Sequence, residues 1–315
     1  MDKKVIAIDI GGTKISLAVV SGGKIVSEVE KFSTPKTAGA ILDKILDNID
    51  KILKSYKDGK IAAVAFATAG AVNLDNTRVI GSTGNLPKGY TDLNFAEAIK
   101  NRFSLGVFIE NDANAAAYAE YKIGAAKGHE NTITVTLGTG VGGGIVVNGR
   151  LLRGKSGAAG EVGHLRMREE KRFYCTCGHY DCWEAYASGT GYARIAREEL
   201  KNYPQDKKTY LHLKPVEEIT SYDVLEGVRE NDELSKKIHE RWETMVVKGL
   251  ISLANVFDPD SIVLSGGMAD FVDFEKVQRV MNESLVVPNV KILRAQAGNY
   301  AGMLGAALLA EERFL

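Results

Sequence analysis

All three cysteines of this sequence lie within a stretch of eight residues, and a histidine precedes the first of them by eleven positions. Three thiolates and one imidazole make up a complete tetrahedral ligand set for Zn²⁺. The spacing Cys175-x-Cys177-x4-Cys182 is short enough for one loop to surround a single ion. We therefore predict a structural zinc site from the three thiols and one histidine, which by spacing alone is either His164 or His179.

Two other interpretations of the cysteines stay open at this point. Free cysteine packs as a small apolar side chain, so the three thiols could be buried without a metal. A disulfide is less favoured, because one thiol would stay unpaired and a bridge between Cys175 and Cys177 would be strained. Glu161 and Glu184 flank the loop in sequence. A metal that orders the loop would therefore also fix these two carboxylates.

Glycine is concentrated in four places, which are residues 11–12, 138–144, 154–163 and 266–267. Clustered glycines indicate places where the backbone approaches another group closely. The first two clusters each follow an apolar segment and predict a tight turn between strands, whose backbone N–H groups can bind phosphate. The pair at 266–267 follows a predicted strand and could lie against a nucleoside.

Asp9 stands at the entrance of the first glycine turn. A carboxylate there can organise water around a Mg²⁺ ion bound to phosphate, and Thr13 and Lys14 add a hydroxyl and a cation. An ordinary hairpin turn capped by Asp9, with Lys14 in solvent, is the simpler alternative. The presence of two glycine turns favours nucleotide binding.

Asn111 and Asp112 lie where a predicted strand ends and a predicted helix begins. Either residue could simply cap the helix. Alternatively, Asp112 accepts a proton from a substrate hydroxyl, which is the main chemical demand that phosphoryl transfer makes on a side chain. Several polar side chains can bind pairs of hydroxyl groups, which predicts a polyol substrate; they are Asn111, Asp112, Glu161, His164 and Glu184.

Apolar periodicity predicts the elements that position these residues. Strands are predicted at 5–10, 15–20, 25–30, 61–67, 107–109, 132–137, 144–147, 261–264 and 290–294, and helices at 38–55, 92–103, 112–123, 183–201, 221–230, 232–256, 271–284 and 301–313. The first three strands form a meander, which argues against a Rossmann-type start.

Composition excludes several classes of protein. The 40 basic and 40 acidic residues balance, which argues against nucleic-acid binding as the main function. No apolar run is long enough to cross a bilayer or to form a signal peptide, and three clustered cysteines fit a reducing compartment. We therefore expect a cytoplasmic protein without a membrane or nucleic-acid partner.

Taken together, the motifs resemble those of the ROK sugar kinases. The matching segments span almost the whole chain and are Asp9–Lys14, Glu110–Asn114, Leu137–Gly144, Glu161–His164, Cys175–Glu184, Leu264–Gly267 and Ala301–Ala307. The resemblance implies a two-lobed α/β fold of the actin-like ATPase (ribonuclease H-like) type with a zinc-binding loop. It implies a smaller lobe of residues 1–118 and 299–315, a larger lobe of residues 119–298, and a homodimer formed through the larger lobe.

The resemblance also implies a role for each matching residue. Asp112 would be the general base for the 6-hydroxyl of the sugar, and the other ring hydroxyls would be held by Asn111, Glu161, His164 and Glu184. His164, rather than His179, would complete the zinc site with Cys175, Cys177 and Cys182. ATP, carried with Mg²⁺, would contact Asp9, Gly11, Gly12, Thr13, Lys14, Gly138, Thr139, Gly140, Gly266 and Gly267.

Substrate choice is predicted from the loops of the first lobe. The chain lacks the prolines that ROK glucokinases usually carry in the turn ending at Gly70 and before the sugar loop, which narrowly favours N-acetylmannosamine over glucose. Gly70, Thr83 and Asn85 are then predicted sugar contacts. A sugar-sensing regulator is the remaining alternative. It is disfavoured because Asp112 is present and because the first strand starts too early to leave room for a DNA-binding domain.

Overall fold

The computed structural model describes residues 3–57, 60–81, 86–168 and 170–315, so Thr83 and Asn85 lie outside the described residues. The chain divides into two compact units. Unit 1 comprises Met1–Thr134, Gly144–Gly160 and Ala295–Leu315, and unit 2 comprises Val135–Gly143 and Glu161–Arg294. Both units combine helices with strands, which confirms the α/β class.

The strands are β1 (Lys3–Ile10), β2 (Lys14–Ser21), β3 (Lys24–Ile25), β4 (Glu30–Ser33), β5 (Lys60–Thr68), β6 (Ala71–Val72), β7 (Val79–Gly81), β8 (Gly106–Asn111), β9 (Thr132–Leu137), β10 (Val141–Val147), β11 (Arg150–Leu151), β12 (Ser261–Ser265) and β13 (Lys291–Arg294). The helices are α1 (Ala38–Ser55), α2 (Phe95–Phe103), α3 (Asp112–Ile123), α4 (Glu184–Ala187), α5 (Gly189–Lys201), α6 (Ser221–Arg229), α7 (Glu233–Phe257), α8 (Phe274–Ser284) and α9 (Ala301–Phe314).

The main sheet of unit 1 has the order β3-β2-β1-β5-β8, with β4 paired to the other part of β2. β1 is antiparallel to β2 and parallel to β5, and β5 is parallel to β8. A second sheet has the order β11-β10-β9-β12-β13, in which β12 and β13 are parallel. The antiparallel start confirms the predicted meander.

Both faces of the main sheet are covered, which explains why β1 is apolar from Val5 to Ile8. Ile6 and Ile8 belong to a core that includes side chains of α1 and α2, whereas Val5 and Ala7 belong to a core that includes α3 and α9. The second face is rich in alanine, so the helices approach closely. A Cβ atom on Gly305 of α9 would overlap the carbonyl oxygen of Ala115 in α3.

The structure corrects three predicted elements. The predicted strand at 25–30 is two short strands, β3 and β4, that pair with different parts of β2. The predicted helix at 92–103 begins only at Phe95, because Asn94 caps it by accepting the N–H of Glu97. The predicted helix at 183–201 is interrupted at Ser188, whose extended backbone and side chain cap α5.

A membrane-crossing helix was not expected, and the described part of the chain contains no helix that is long and apolar enough to span a bilayer.

Candidate active site and metal centre

The carboxyl ends of three neighbouring strands bring the predicted residues of unit 1 to one edge of its sheet. Because β1, β5 and β8 are parallel, Asp9 lies level with Ala67, and Ala67 lies level with Glu110. In open α/β sheets, ligands bind outside the carboxyl ends of the strands. The sheet therefore places Asp9 and the Asn111–Asp112 pair on the edge where a ligand is expected.

Asn111 is the residue that caps α3. Its Oδ1 accepts the N–H groups of Ala113 and Asn114 at 3.0 and 3.1 Å, and its Nδ2 donates to the carbonyl of Gly70 at 3.0 Å. Asp112 is the first residue of the helix and its side chain is exposed. Asp112 is therefore not the capping residue. Its Oδ1 accepts the N–H of Ala113 at 2.9 Å, and its side chain remains exposed to a ligand.

Asp9 and Asp112 are close enough to repel each other. Burial, followed by the charge of Asp112, raises the pKa of Asp9 from 3.8 to about 6, although Lys14 opposes this shift. Surrounding protein atoms raise the pKa of Asp112 as well, although part of its surface remains exposed. Two carboxylates with raised pKa values form a place that favours either a cation or a proton.

We expect Asp9→Asn to raise the melting temperature of the protein at pH 7.5, without Mg²⁺ or nucleotide, by about 4–5 °C. Because the folded-state pKa of Asp9 is raised from 3.8 to about 6, ionisation destabilises the fold above that pH by about 3 kcal/mol. Below the unfolded-state pKa of 3.8 the destabilisation is absent, so the difference should shrink as the pH falls towards 4. Thermal unfolding from pH 4 to 8 measures the difference in melting temperature between the variant and the wild type, with the exposed substitution Asp43→Asn as control. A less stable Asp9→Asn variant at pH 7.5 would contradict the expectation.

The first glycine turn forms a hairpin between β1 and β2. The N–H of Gly11 donates to the carbonyl of Lys14 at 3.0 Å, and Gly12, Thr13 and Lys14 are exposed. The backbone of this segment therefore forms the hairpin turn that the simpler interpretation predicted. It leaves the exposed turn beside Asp9 free to meet a ligand.

The other glycine turns belong to unit 2. The N–H of Gly138 donates to the carbonyl of Gly140 at 2.9 Å, and Thr139 between them is exposed. A Cβ atom on Gly140 would overlap the carboxylate of Glu184. Gly266 has a φ of 85°, and a Cβ atom there would overlap the carbonyl of Leu137. Glycine at 266 is thus required by its backbone conformation and by the contact with a carbonyl group. A side chain at 140 would displace the Glu184 carboxylate, whereas Gly267 has open space around it.

The four predicted zinc ligands come together. Candidate ligand atoms of His164, Cys175, Cys177 and Cys182 all lie within 4.8 Å of one another. The Sγ atoms of Cys177 and Cys182 are 3.6 Å apart, and Cys175 Sγ is 3.7 Å from His164 Nδ1. Tetrahedral ligands at typical zinc distances are separated by about 3.8 Å. The residues present therefore fit a zinc ion.

His179 is not part of this four-residue cluster. Its Nδ1 lies 3.2 Å from the carbonyl oxygen of Cys177 and 3.7 Å from the Sγ of that residue. The geometry agrees with His164 as the histidine of the group. The Nδ1 of His164 faces the thiol of Cys175, while its Nε2 lies 3.8 Å from Glu161 Oε2.

Glu184 connects the cysteine loop to the second glycine turn. Its Oε2 accepts the N–H of Val141 at 3.0 Å, and its Oε1 lies 3.5 Å from Cys175 Sγ and 3.3 Å from the hydroxyl of Thr176. A change in the loop would therefore reach the carboxylate of Glu184 directly.

Two buried residues fasten the loop to the rest of unit 2. Asp181, in a left-handed conformation with φ of 60°, accepts the N–H of Phe173 at 2.9 Å and the hydroxyl of Tyr186 at 2.5 Å. Trp183 is fully buried and donates to the carbonyl of Met245 in α7 at 2.8 Å. The sequence analysis did not single out Asp181.

The ROK family model matches residues 5–313. The chain belongs to the ROK family. The ROK assignment agrees with the architecture, which is that of the actin-like ATPases.

Individual ROK proteins resemble the chain over nearly its full length. A glucokinase of Streptomyces coelicolor is 35% identical, and the alignment covers 98% of this chain and 97% of that glucokinase. An N-acetylmannosamine kinase of Haemophilus influenzae is 29% identical, and the alignment covers 96% of this chain and 93% of that kinase. A similar solved structure is that of a ROK family glucokinase from Streptomyces griseus in complex with glucose and AMPPNP. It has a TM-score of 0.78 and 33% identity, and the match covers 98% of this chain and 99% of that chain.

Proposed function

We propose that this ROK protein is a sugar kinase that transfers the γ-phosphoryl group of ATP to the 6-hydroxyl of a hexose, with glucose as the favoured acceptor. The observation that carries the proposal is the division of roles at the start of α3. Asn111 satisfies the helix terminus, and the adjacent Asp112 keeps an exposed carboxylate with a raised pKa. A carboxylate of this kind is suited to accept a proton at neutral pH.

In the proposed reaction the sugar oxygen forms a bond to the γ-phosphorus while the bond from that phosphorus to the bridging β,γ-oxygen breaks. Asp112 takes the proton of the attacking hydroxyl, and ADP leaves with the electrons of the broken bond. The remaining hydroxyls would be bound by Asn111, Glu161, His164 and Glu184, together with Gly70, Thr83 and Asn85. The Asn111 amide already binds Gly70 and α3, so it would present a fixed rather than a mobile group to the sugar.

The residues proposed to contact the ATP phosphates are those of the first two glycine turns, and Gly266 and Gly267 would contact the adenosine. The turn residues are Asp9, Gly11, Gly12, Thr13, Lys14, Gly138, Thr139 and Gly140. The raised pKa of Asp9 supports a nearby cation, since Mg²⁺ bound to ATP would relieve the repulsion between Asp9 and Asp112. Mg²⁺ would neutralise charge on the phosphates.

Zinc would be held by His164, Cys175, Cys177 and Cys182 and would have a structural role. Its contribution is to fix the loop that carries Glu184 and to orient the imidazole of His164 towards Glu161. The homodimer predicted from the sequence stays a proposal, with the larger lobe as the expected interface.

Glucose replaces N-acetylmannosamine as the favoured sugar. The sequence alone narrowly favoured N-acetylmannosamine from the missing prolines around Gly70. The glucokinase relative is 35% identical, whereas the N-acetylmannosamine kinase relative is 29% identical. Identity over nearly the whole chain is a broader measure than two loop positions, so it favours glucose.

We expect kcat/KM with MgATP to be highest for glucose among four sugars. The other three are N-acetylmannosamine, N-acetylglucosamine and fructose. A coupled assay for ADP measures kcat/KM for each sugar. NMR of the product shows whether the phosphate is on the 6-hydroxyl. Fastest turnover with N-acetylmannosamine would overturn the choice of sugar and leave the kinase proposal in place. If none of the sugars in the panel is phosphorylated, the kinase proposal is overturned.

A further inference from the structure

Glu110 is a buried carboxylate directly before the Asn111–Asp112 pair. Only 2% of its surface is exposed, and it lies at the end of β8. A buried carboxylate is strongly unfavourable unless it is paired and hydrogen-bonded. Each of its two oxygens has a separate set of donors, and the two sets lead in different directions.

One oxygen holds the first turn of α3. Glu110 Oε1 accepts the backbone N–H of Asn111 at 3.0 Å and the side-chain Nδ2 of Asn114 at 3.3 Å. Asn114 is itself buried, and its Oδ1 has no hydrogen-bond partner within the described residues. Its carboxamide thus bonds Glu110 through Nδ2. Glu110 therefore fixes residues on both sides of Asp112.

The other oxygen holds a guanidinium. Glu110 Oε2 accepts Nε and Nη2 of Arg153 at 2.9 and 2.8 Å, and Nδ2 of Asn76 at 3.3 Å. Arg153 lies just beyond the short strand β11 and is 27% exposed. Asn76 also donates to the carbonyl of Ile109 in β8 at 2.8 Å. A charge-assisted pair of this kind is rigid and strong.

We propose that the Glu110–Arg153 ion pair is a positioning device for Asp112, which sets the direction of the carboxylate for proton transfer. This inference rests on the proposed function, because it needs Asp112 to be the base. Arg153 offsets the charge of Glu110, and Glu110 transmits the restraint through the Asn111 N–H and the Asn114 side chain. A displacement of about 1 Å at a reacting group can cost about 10²-fold in rate. Glu110 and Arg153 are positioning residues, since neither needs to touch the substrate.

The test uses the full chain with MgATP and glucose, or N-acetylmannosamine if that sugar proves the better substrate. Glu110→Gln keeps the shape but removes the charge, and Arg153→Met keeps the length of the side chain but removes the guanidinium. We expect each to lower kcat by about 10²-fold while the KM for the sugar changes by less than about threefold. Arg153→Lys keeps the positive charge but not the planar guanidinium, so it should recover only part of the kcat that Arg153→Met loses, about tenfold.

The double variant Glu110→Gln/Arg153→Met measures whether the two residues act together. We expect it to lose about as much kcat as either single variant, because either change already releases the same restraint. Arg150→Met is the matched control, since Arg150 is an exposed arginine on β11 three residues away. It should keep wild-type kcat. If Glu110→Gln fails to fold, the comparison of Arg153→Lys with Arg153→Met carries the test.

A merely structural pair gives a different result. The variants would then unfold at lower temperature but keep the kcat of the folded fraction, or their losses would multiply in the double variant. Either result, together with an inactive Asp112→Asn variant, would overturn the positioning inference and leave the proposed function intact. Full activity of Asp112→Asn would instead overturn the assignment of the base.

Discussion

Replacing Asp112 with asparagine is expected to lower kcat by about 10³-fold while sugar binding and the fold are retained. Asparagine has the same shape but cannot accept the proton of the 6-hydroxyl, and removal of a general base costs about 10²–10⁴-fold in rate. The fold should be kept because Asn111 caps the helix, and the Oδ1 of an asparagine at position 112 can still accept the N–H of Ala113. The neutral side chain also relieves the repulsion that raises the pKa of Asp9.

The measurement is steady-state phosphorylation of the best sugar from the panel, combined with calorimetric titration of the same sugar. Asp43→Asn, an exposed substitution on α1, is the matched control and should behave as the wild type. Because surrounding protein atoms raise the pKa of Asp112, wild-type kcat/KM should also fall as the pH is lowered towards the pKa of that carboxyl. Turnover of Asp112→Asn close to that of the wild type would remove Asp112 as the base.

The second large effect is expected at the zinc site. Cys177→Ser should purify with less than about a tenth of the wild-type zinc content, which should be about one ion per chain. We expect the KM for the sugar to rise by about 10–100-fold, because the loop orients His164 and supports Glu184. Cys177 is exposed, so the substitution itself leaves little packing defect.

Two histidine variants serve as a matched pair for this experiment. His164→Ala should lose zinc as Cys177→Ser does, whereas His179→Ala should keep it, since His179 lies outside the four-residue group. Elemental analysis of the purified proteins and thermal unfolding with and without added zinc give the readout. Wild-type protein without zinc, or zinc loss from His179→Ala alone, would contradict this assignment.

The sequence predicted those parts of the site whose residues are close together along the chain. The helix at 112–123 was predicted with the bounds that α3 has, because alanine-rich periodicity and Gly124 mark it locally. The cysteine cluster was also local. By contrast, the shared sheet edge of Asp9 and Asn111 was not predicted, because it depends on the parallel pairing of β1, β5 and β8.

The parts that were missed depend on contacts between distant residues or on single side chains in loops. Arg153 reaches Glu110 across 43 positions, and no local pattern marks that partnership. Asp181 adopts a left-handed conformation that is uncommon outside glycine, and its role is visible only from its donors, Phe173 and Tyr186. The break at Ser188 was missed because apolar periodicity continues through it.

The packing of α9 has a consequence for biosynthesis. Unit 1 is built from Met1–Thr134, Gly144–Gly160 and Ala295–Leu315, and the side chains of α9 share a core with Val5 and Ala7 of β1. Val5 and Ala7 are synthesised long before residues 301–314, so α9 covers that face of the sheet only late in synthesis. Nearly all of unit 2 is one continuous stretch that is synthesised before α9. Until α9 is complete, the apolar face of β1 is open to binding by a chaperone.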